Sequence, residues 1–323
     1  YRDIEMTGLL ITLSMVLMAA SSNLPEGSTL QQSVEKDGWT LVWNDEFEGN
    51  EIDPSKWSHE VDCWGGGNEE RQCYTKRPEN SYIEDGYLNI VARYETASGP
   101  ALPRKMREGL SAEERRAKKT QPFTSARLNT MGKADWTYGR FEVRAKMPRG
   151  QGMWPAIWML PTEEHYGAWA ASGEIDIAEV VNLGAKCEEC EGGVENSLYG
   201  TVHYGGEWPR NQYLGEKTTL PPSEDGFHVY AVEWKEGEIS WFIDDQHYST
   251  LTSDDWGPKA LFTSLPKTSP FDKPFYLILN VAVGGHLPEG KNEGGVTLAD
   301  FPKAMQVDWV RVYQRTADDS QAN

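Results

Sequence analysis

The chain is poor in what several large protein classes require. Its 323 residues hold only 31 lysines and arginines against 50 aspartates and glutamates, a formal net charge of −19. A polyphosphate partner would be repelled by such a field, so nucleic acid is excluded, and a strongly anionic polysaccharide would be captured slowly. Neither a G-x-G-x-x-G turn nor a P-loop occurs, which leaves nucleotide chemistry without a foothold. Internal repeats are missing too. The apolar run at residues 7–20 is too short to span a bilayer comfortably. It ends in Ala19-Ala20-Ser21-Ser22, the pattern of a secretory signal over residues 1–22, although Arg2 ahead of it is offset by Asp3 and Glu5. Residues 23–37 read as a polar linker and 316–323 as a polar tail. No integral membrane contact is expected, and the chain is expected to act as a monomer.

Cysteine is scarce: Cys63, Cys73, Cys187 and Cys190. Export permits disulfides, and four cysteines allow three pairings. Joining Cys63 to Cys73 would staple a glycine-rich loop, and Cys187 to Cys190 a tight turn. Free thiols are a further alternative. A single C-x-x-C without a second pair or a suitably spaced histidine is a weak zinc signal.

Aromatic residues are plentiful, with 13 Trp and 14 Tyr, and flat rings suit sugar faces as well as cores. Strand-like segments recur at 39–47, 81–94, 124–130, 137–147, 153–160, 172–181, 198–204, 227–235, 238–247, 275–283 and 305–314, separated by Gly, Pro, Asn and Asp. In the clearest of them Phe141, Val143, Ala145 and Met147 alternate with Arg140, Glu142, Arg144 and Lys146. That is the pattern of an antiparallel sandwich with one buried and one polar face. Residues 98–121 depart from it. There Ser111 and Glu114 form a capping box for a short helix, in what reads as a solvated surface insertion.

The stretch Gly173-Glu174-Ile175-Asp176-Ile177-Ala178-Glu179-Val180 places three carboxylates among strand-forming apolar residues with no base beside them. Alternation puts Glu174 and Asp176 on one face and Ile175 and Ile177 on the other. Glu179 has the wrong parity and joins the other acids only through a β-bulge, read here as Ala178. The bland alternative is an exposed acidic edge, which the flanking Ile and Val residues oppose. Paired carboxylates suit glycosidic bond cleavage, about 5 Å apart in retaining enzymes. Asp176 between them would raise the proton affinity of Glu179 by repulsion and hydrogen bonding.

This E-x-D-x-x-E pattern, preceded by Gln151-Gly152-Met153-Trp154-Pro155-Ala156-Ile157-Trp158-Met159-Leu160, resembles the active-site region of glycoside hydrolase family 16, and of its laminarinase (endo-1,3-β-glucanase) branch. The likeness runs over about residues 38–315. It includes Trp39-Thr40-Leu41-Val42-Trp43-Asn44-Asp45-Glu46-Phe47, Arg77-Pro78-Glu79-Asn80, Gly200-Thr201-Val202-His203-Tyr204-Gly205-Gly206 and Val307-Asp308-Trp309-Val310-Arg311-Val312-Tyr313. Ala126 stands where glycine is usual, and Leu287 where tryptophan is common.

The resemblance implies a β-jelly-roll of two antiparallel sheets with an open concave cleft, cutting internal β-1,3 linkages of a neutral β-glucan such as laminarin with retention. It makes Glu174 the nucleophile, Glu179 the acid/base and Asp176 their modulator. Trp154 and Trp158 become the floor of the sugar subsites, His203 a leaving-group-side contact, and Arg127 and Asn80 contacts on the non-reducing side. Trp208 would be a loop platform on the leaving-group side. Catalysis needs no cofactor, but a structural Ca²⁺ is implied at Asp308 with carbonyls of Glu48 and Gly86. The rivals are a mixed-linkage glucanase, agarase or carrageenase of the same fold, or a glucan-binding lectin, which would not need the acids.

Overall fold

The computed structural model describes residue 36 and residues 38–257 and 265–315. The signal segment 1–22, the linker apart from Lys36, and the tail 316–323 lie outside the described residues. Among the described residues seventeen strands run in chain order. They are β1 (Trp39–Asp45), β2 (Ser58–His59), β3 (Gln72–Tyr74), β4 (Ser81–Glu84), β5 (Tyr87–Pro100), β6 (Lys118–Ser125), β7 (Arg127–Asn129), β8 (Gly139–Lys146) and β9 (Met153–Pro161). There follow β10 (Glu174–Val180), β11 (Ser197–Tyr204), β12 (Gln212–Thr219), β13 (His228–Lys235), β14 (Glu238–Ile243), β15 (Gln246–Thr252), β16 (Phe275–Val283) and β17 (Lys303–Arg315). They form two sheets. One has the order β15-β14-β13-β8-β17-β5-β6-β3, with β1 on β17 and β4 on β5; the other is β12-β11-β10-β9-β16-β7-β2. Only β3 and β6 pair in parallel among these strands. This is the expected jelly-roll sandwich. Among the described residues no helix is long and apolar enough to cross a membrane.

Alternation builds the layer between the sheets. Ile157, Met159, Ile175, Val202, Leu277 and Leu279 point inward from one sheet, against Leu88, Ile90, Phe141, Val143, Trp234 and Trp241 of the other. On β8 the polar face is buried at Arg140 and Glu142 and opens to solvent toward Lys146. Arg140 is buried with Glu142 and binds Glu142 at 2.6 Å, Glu233 at 2.8 Å and Asp245 at 2.6 Å, so a central strand keeps its charges by pairing them.

The departure at 98–121 begins and ends in strand. β5 and β6 pair from Arg93–Thr124 out to Pro100–Lys118 as a long hairpin arm. Its tip carries the one-turn helix Ala112–Arg116, whose Ser111–Glu114 capping box is present. The arm is tied to the body by the Cys63 N–H donating to the Pro100 carbonyl (2.7 Å) and by Lys105 to Glu164 (2.8 Å). The cysteines form Cys63–Cys73 and Cys187–Cys190 bridges.

Candidate active site

β10 lies in the middle of the seven-stranded sheet, between β9 and β11. Its inner face is apolar, so its other face can carry acids over a rigid floor. The bulge is there. Asp176 stands opposite Thr201 and Glu179 opposite Tyr199, so Ile177 and Ala178 share Gly200 as their only counterpart. Toward β9, Ala178 keeps a partner in Ile157 while the register skips Ile177. The extra residue on that side is therefore Ile177 rather than Ala178. Both are buried in the core, which turns Glu179 onto the face of Glu174 and Asp176. Gly200 is required opposite this kink because a Cβ there would come within 2.5 Å of Trp241. The Trp241 indole in turn donates to the Asp176 carbonyl at 2.8 Å, pinning the bulge from behind.

Each acid has its own partners. Trp169 donates from Nε1 to Glu174 Oε2 at 2.8 Å, and Trp154 donates from Nε1 to Glu179 Oε1 at 2.8 Å. His203, directly opposite Glu174 on β11, places Nε2 3.3 Å from Asp176 Oδ2 and 3.6 Å from Glu174 Oε1. Burial raises the proton affinity of all three acids. On Glu174 it is opposed by the His203 charge, the Trp169 indole and the Arg127 charge. On Glu179 the Trp154 indole opposes it while the charge of Glu174 adds to it. Asp176 is raised most clearly, by burial and then by the charges of Glu174 and Glu179. The central carboxyl thus has its proton affinity raised by both neighbours, where sequence reasoning had it raise that of Glu179. Although burial disfavours a charged His203, its hydrogen bond to Asp176 and the charges of Glu174, Asp176 and Glu179 push it up to about 9.

The tryptophans share the cleft face of β9. Trp158 donates to Asn280 Oδ1 at 2.6 Å, and the Arg127 guanidinium stacks between Trp158 (5.2 Å) and Tyr74 (4.5 Å). Arg127 is buried and paired with Glu60 at 3.4 Å, so it supports the floor as well as bordering it. Asn80 is placed differently from the expectation. It is wholly buried, with Oδ1 accepting from Thr75 and Arg77 and Nδ2 donating to the Val91 carbonyl and Thr124. That leaves no amide group for a sugar, so Asn80 is a scaffold residue. Trp208 is 73% exposed on the loop after β11, and its N–H donates to the Trp169 carbonyl at 3.0 Å.

Sequence reasoning missed Trp169, which donates to Glu174, and Tyr213; their rings lie 5.6 Å and 5.9 Å from that of His203. Trp169 sits five residues ahead of Glu174, and that proximity was the available signal. Tyr213 gave none.

The residues of the implied cation site fit a metal only in part. Asp308 Oδ2 is bound by Arg144 at 2.6 Å, and the other arm of that guanidinium holds Asp225 at 2.7 Å. One carboxylate oxygen is thus already neutralised, and a cation would lie beside a positive charge. Glu48 and Gly86 are exposed and would offer main-chain oxygens.

Residues 39–315 match the family model described as Beta-porphyranase A-D, GH16 domain. The chain is 39% identical over 288 residues to glucan endo-1,3-beta-glucosidase A1 of Niallia circulans, covering 86% of this chain and 38% of that protein. It is 40% identical over 285 residues to the beta-glucanase of Rhodothermus marinus, covering 85% of each. The X-ray structure of the laminarinase from Rhodothermus marinus superposes with a TM-score of 0.67 at 40% identity, over 86% of this chain and 98% of that one.

Proposed function

The chain belongs to glycoside hydrolase family 16, and from that premise we propose that it is a retaining endo-hydrolase of β-1,3 linkages in a neutral β-glucan such as laminarin. The observation that carries this reading is the bulged strand that gathers Glu174, Asp176 and Glu179 over a floor of Trp154 and Trp158. A lectin would need the floor and not the acids.

The reaction follows from how the three acids are held. Glu174, whose ionised form is favoured by the His203 charge and the Trp169 indole, attacks the anomeric carbon of the bound sugar as the bond to the leaving oxygen breaks. Glu179, whose proton affinity burial and the Glu174 charge raise, gives a proton to that oxygen. The aglycone leaves, and the ionised Glu179 then takes a proton from water. That water attacks the same carbon, expels Glu174 and restores the original configuration.

The low positive charge of the chain and its excess of acids favour a neutral glucan over a sulfated galactan. Export is supported by the apolar segment 7–20 and by two disulfides, which persist in oxidising compartments. Product analysis on laminarin, lichenan, agarose and carrageenan tests the assignment. Laminari-oligosaccharides of mixed length are expected from laminarin, and an intact laminarin would overturn the substrate reading.

A further inference from the structure

A second polar cavity opens beside the acid/base end of the cleft. Glu179 on β10, Tyr199 on β11 and Lys217 on β12 are register partners, so their side chains stand in a row leading away from the catalytic acid on one face. Lys291 donates to the Tyr199 hydroxyl at 3.1 Å and covers its ring at 4.6 Å, which fixes Tyr199 as the lip between cleft and cavity. Beyond that lip lies a hollow of about 890 Å³, with Asn196 and Ser197 half-buried in it and Thr219 at its rim opposite Ser197. The Cys187–Cys190 bridge staples the far side. The volume is that of a small-ligand site.

The lining says what could occupy it. Hydroxyls, amides and amines dominate, and Tyr199 is its only aromatic residue, so an apolar guest would leave many polar groups unpaired. Five glutamates face three lysines, and of the lysines Lys186 is already paired with Glu188. A sulfate or carboxylate would meet net negative charge. A neutral hexose, with hydroxyls to match donors and acceptors, carries no charge to be repelled. The hollow also lies at the Ser197–Tyr199 end of β11, while His203, Trp169 and Tyr213 cluster at the opposite end of the same strand and offer rings to the main chain. A guest here would hang to the side of the chain.

We propose that this hollow is a branch subsite, taking a neutral glycosyl substituent carried on a glucose of the leaving-group side. The inference rests on the β-1,3-glucanase reading above. Its test compares wild-type kcat/KM on linear laminarihexaose and on the same hexaose bearing one β-1,6-linked glucose on a leaving-group-side unit. The branched substrate is expected to be cut about tenfold better, the worth of one net hydrogen bond or slightly more. Thr219→Trp, an exposed position on the edge strand, fills the rim; it is expected to bring the branched rate down to the linear one and leave the linear rate within about twofold. Equal wild-type rates, slower cutting of the branched hexaose, or equal losses on both substrates in Thr219→Trp would each overturn the branch subsite while leaving the glucanase reading intact. Failure to cut linear laminarihexaose at all would overturn the glucanase reading instead, and the subsite with it.

Discussion

His203 Nε2 lies 3.3 Å from Asp176 Oδ2, a cation set against a carboxyl at the centre of an acidic cluster. The pair makes the electrostatics of the cleft self-limiting: His203 is raised by the same acids whose charge it offsets.

From this pair comes a pH dependence with a definite sign. His203 is raised from its ordinary value to about 9, so its contribution to stability is fully present below pH 6.5 and is lost as pH rises through about 9. The unfolding temperature of wild type should therefore fall between those limits, and the fall should be smaller in His203→Gln. The same variant should lower kcat roughly ten- to a hundredfold, since a charged hydrogen bond is worth about 1.5–3 kcal/mol. A variant with wild-type rate and an unchanged unfolding profile would mean the histidine cation takes no part.

The Trp154 indole favours the ionised form of Glu179 by donating to Oε1. Trp154→Phe keeps a ring on the floor and removes that donor, so Glu179 should hold its proton to higher pH. The alkaline limb of kcat against pH should move upward. A limb that stays in place or moves downward would separate Trp154 from the acid.

The bulge sets the parity of Glu179. Deleting Ala178 restores plain alternation as E-x-D-x-E, which keeps all three acids on the cleft face, and the variant should fold with reduced but measurable activity. Inserting one residue after Ala178 turns Glu179 toward the core and should abolish hydrolysis. A folded, fully active insertion variant would refute the face assignment.

The acids were legible because a strand has a period of two, and a wrong-parity glutamate between β-formers must either be buried in the core or be turned out by a bulge. Trp154 and Trp158 followed from the same rule, four residues apart on one strand. What could not be read was set at a distance. β12 is an exposed edge strand whose Gln212–Thr219 sequence has no apolar alternation, so it was missed along with Tyr213 and Lys217. The outer arm of β5 and β6 is stabilised by its own pairing rather than by burial, and its polar residues resembled a loop. Asn80 has the chemistry of a sugar contact, yet its buried amide is consumed by hydrogen bonds at both ends. Only the three-dimensional neighbourhood distinguishes those two uses of an amide. Lys291 reaches Tyr199 across 92 residues of sequence, a separation that no local pattern encodes.

Calcium is the implied ligand that this fold accommodates least readily. We expect any stabilising Ca²⁺ to act through Asp308, so added calcium should raise the unfolding temperature of wild type and not of Asp308→Ala. Because Arg144 competes for the same carboxylate, Arg144→Gln should enlarge the calcium response. A response that survives Asp308→Ala would remove this residue from the site, and a wild type indifferent to calcium would remove the site itself.

The two glutamates can be separated by the configuration of a trapped product. Glu174→Ala removes the nucleophile, so an activated β-glucosyl donor should be attacked by added azide directly from the opposite face, giving an α-azide. Glu179→Ala leaves the nucleophile in place. A good leaving group needs little protonation, so this variant should still form its covalent intermediate on Glu174, whose carboxylate keeps the support of Trp169 and His203. Azide needs no general base and should intercept that intermediate from the original face, giving a β-azide. With natural laminarin, whose leaving group must be protonated, both variants should be nearly inactive. An α-azide from Glu179→Ala together with a β-azide from Glu174→Ala would reverse the roles. Two variants that still cut laminarin at the wild-type rate would show that the bulged strand is not where the chemistry occurs.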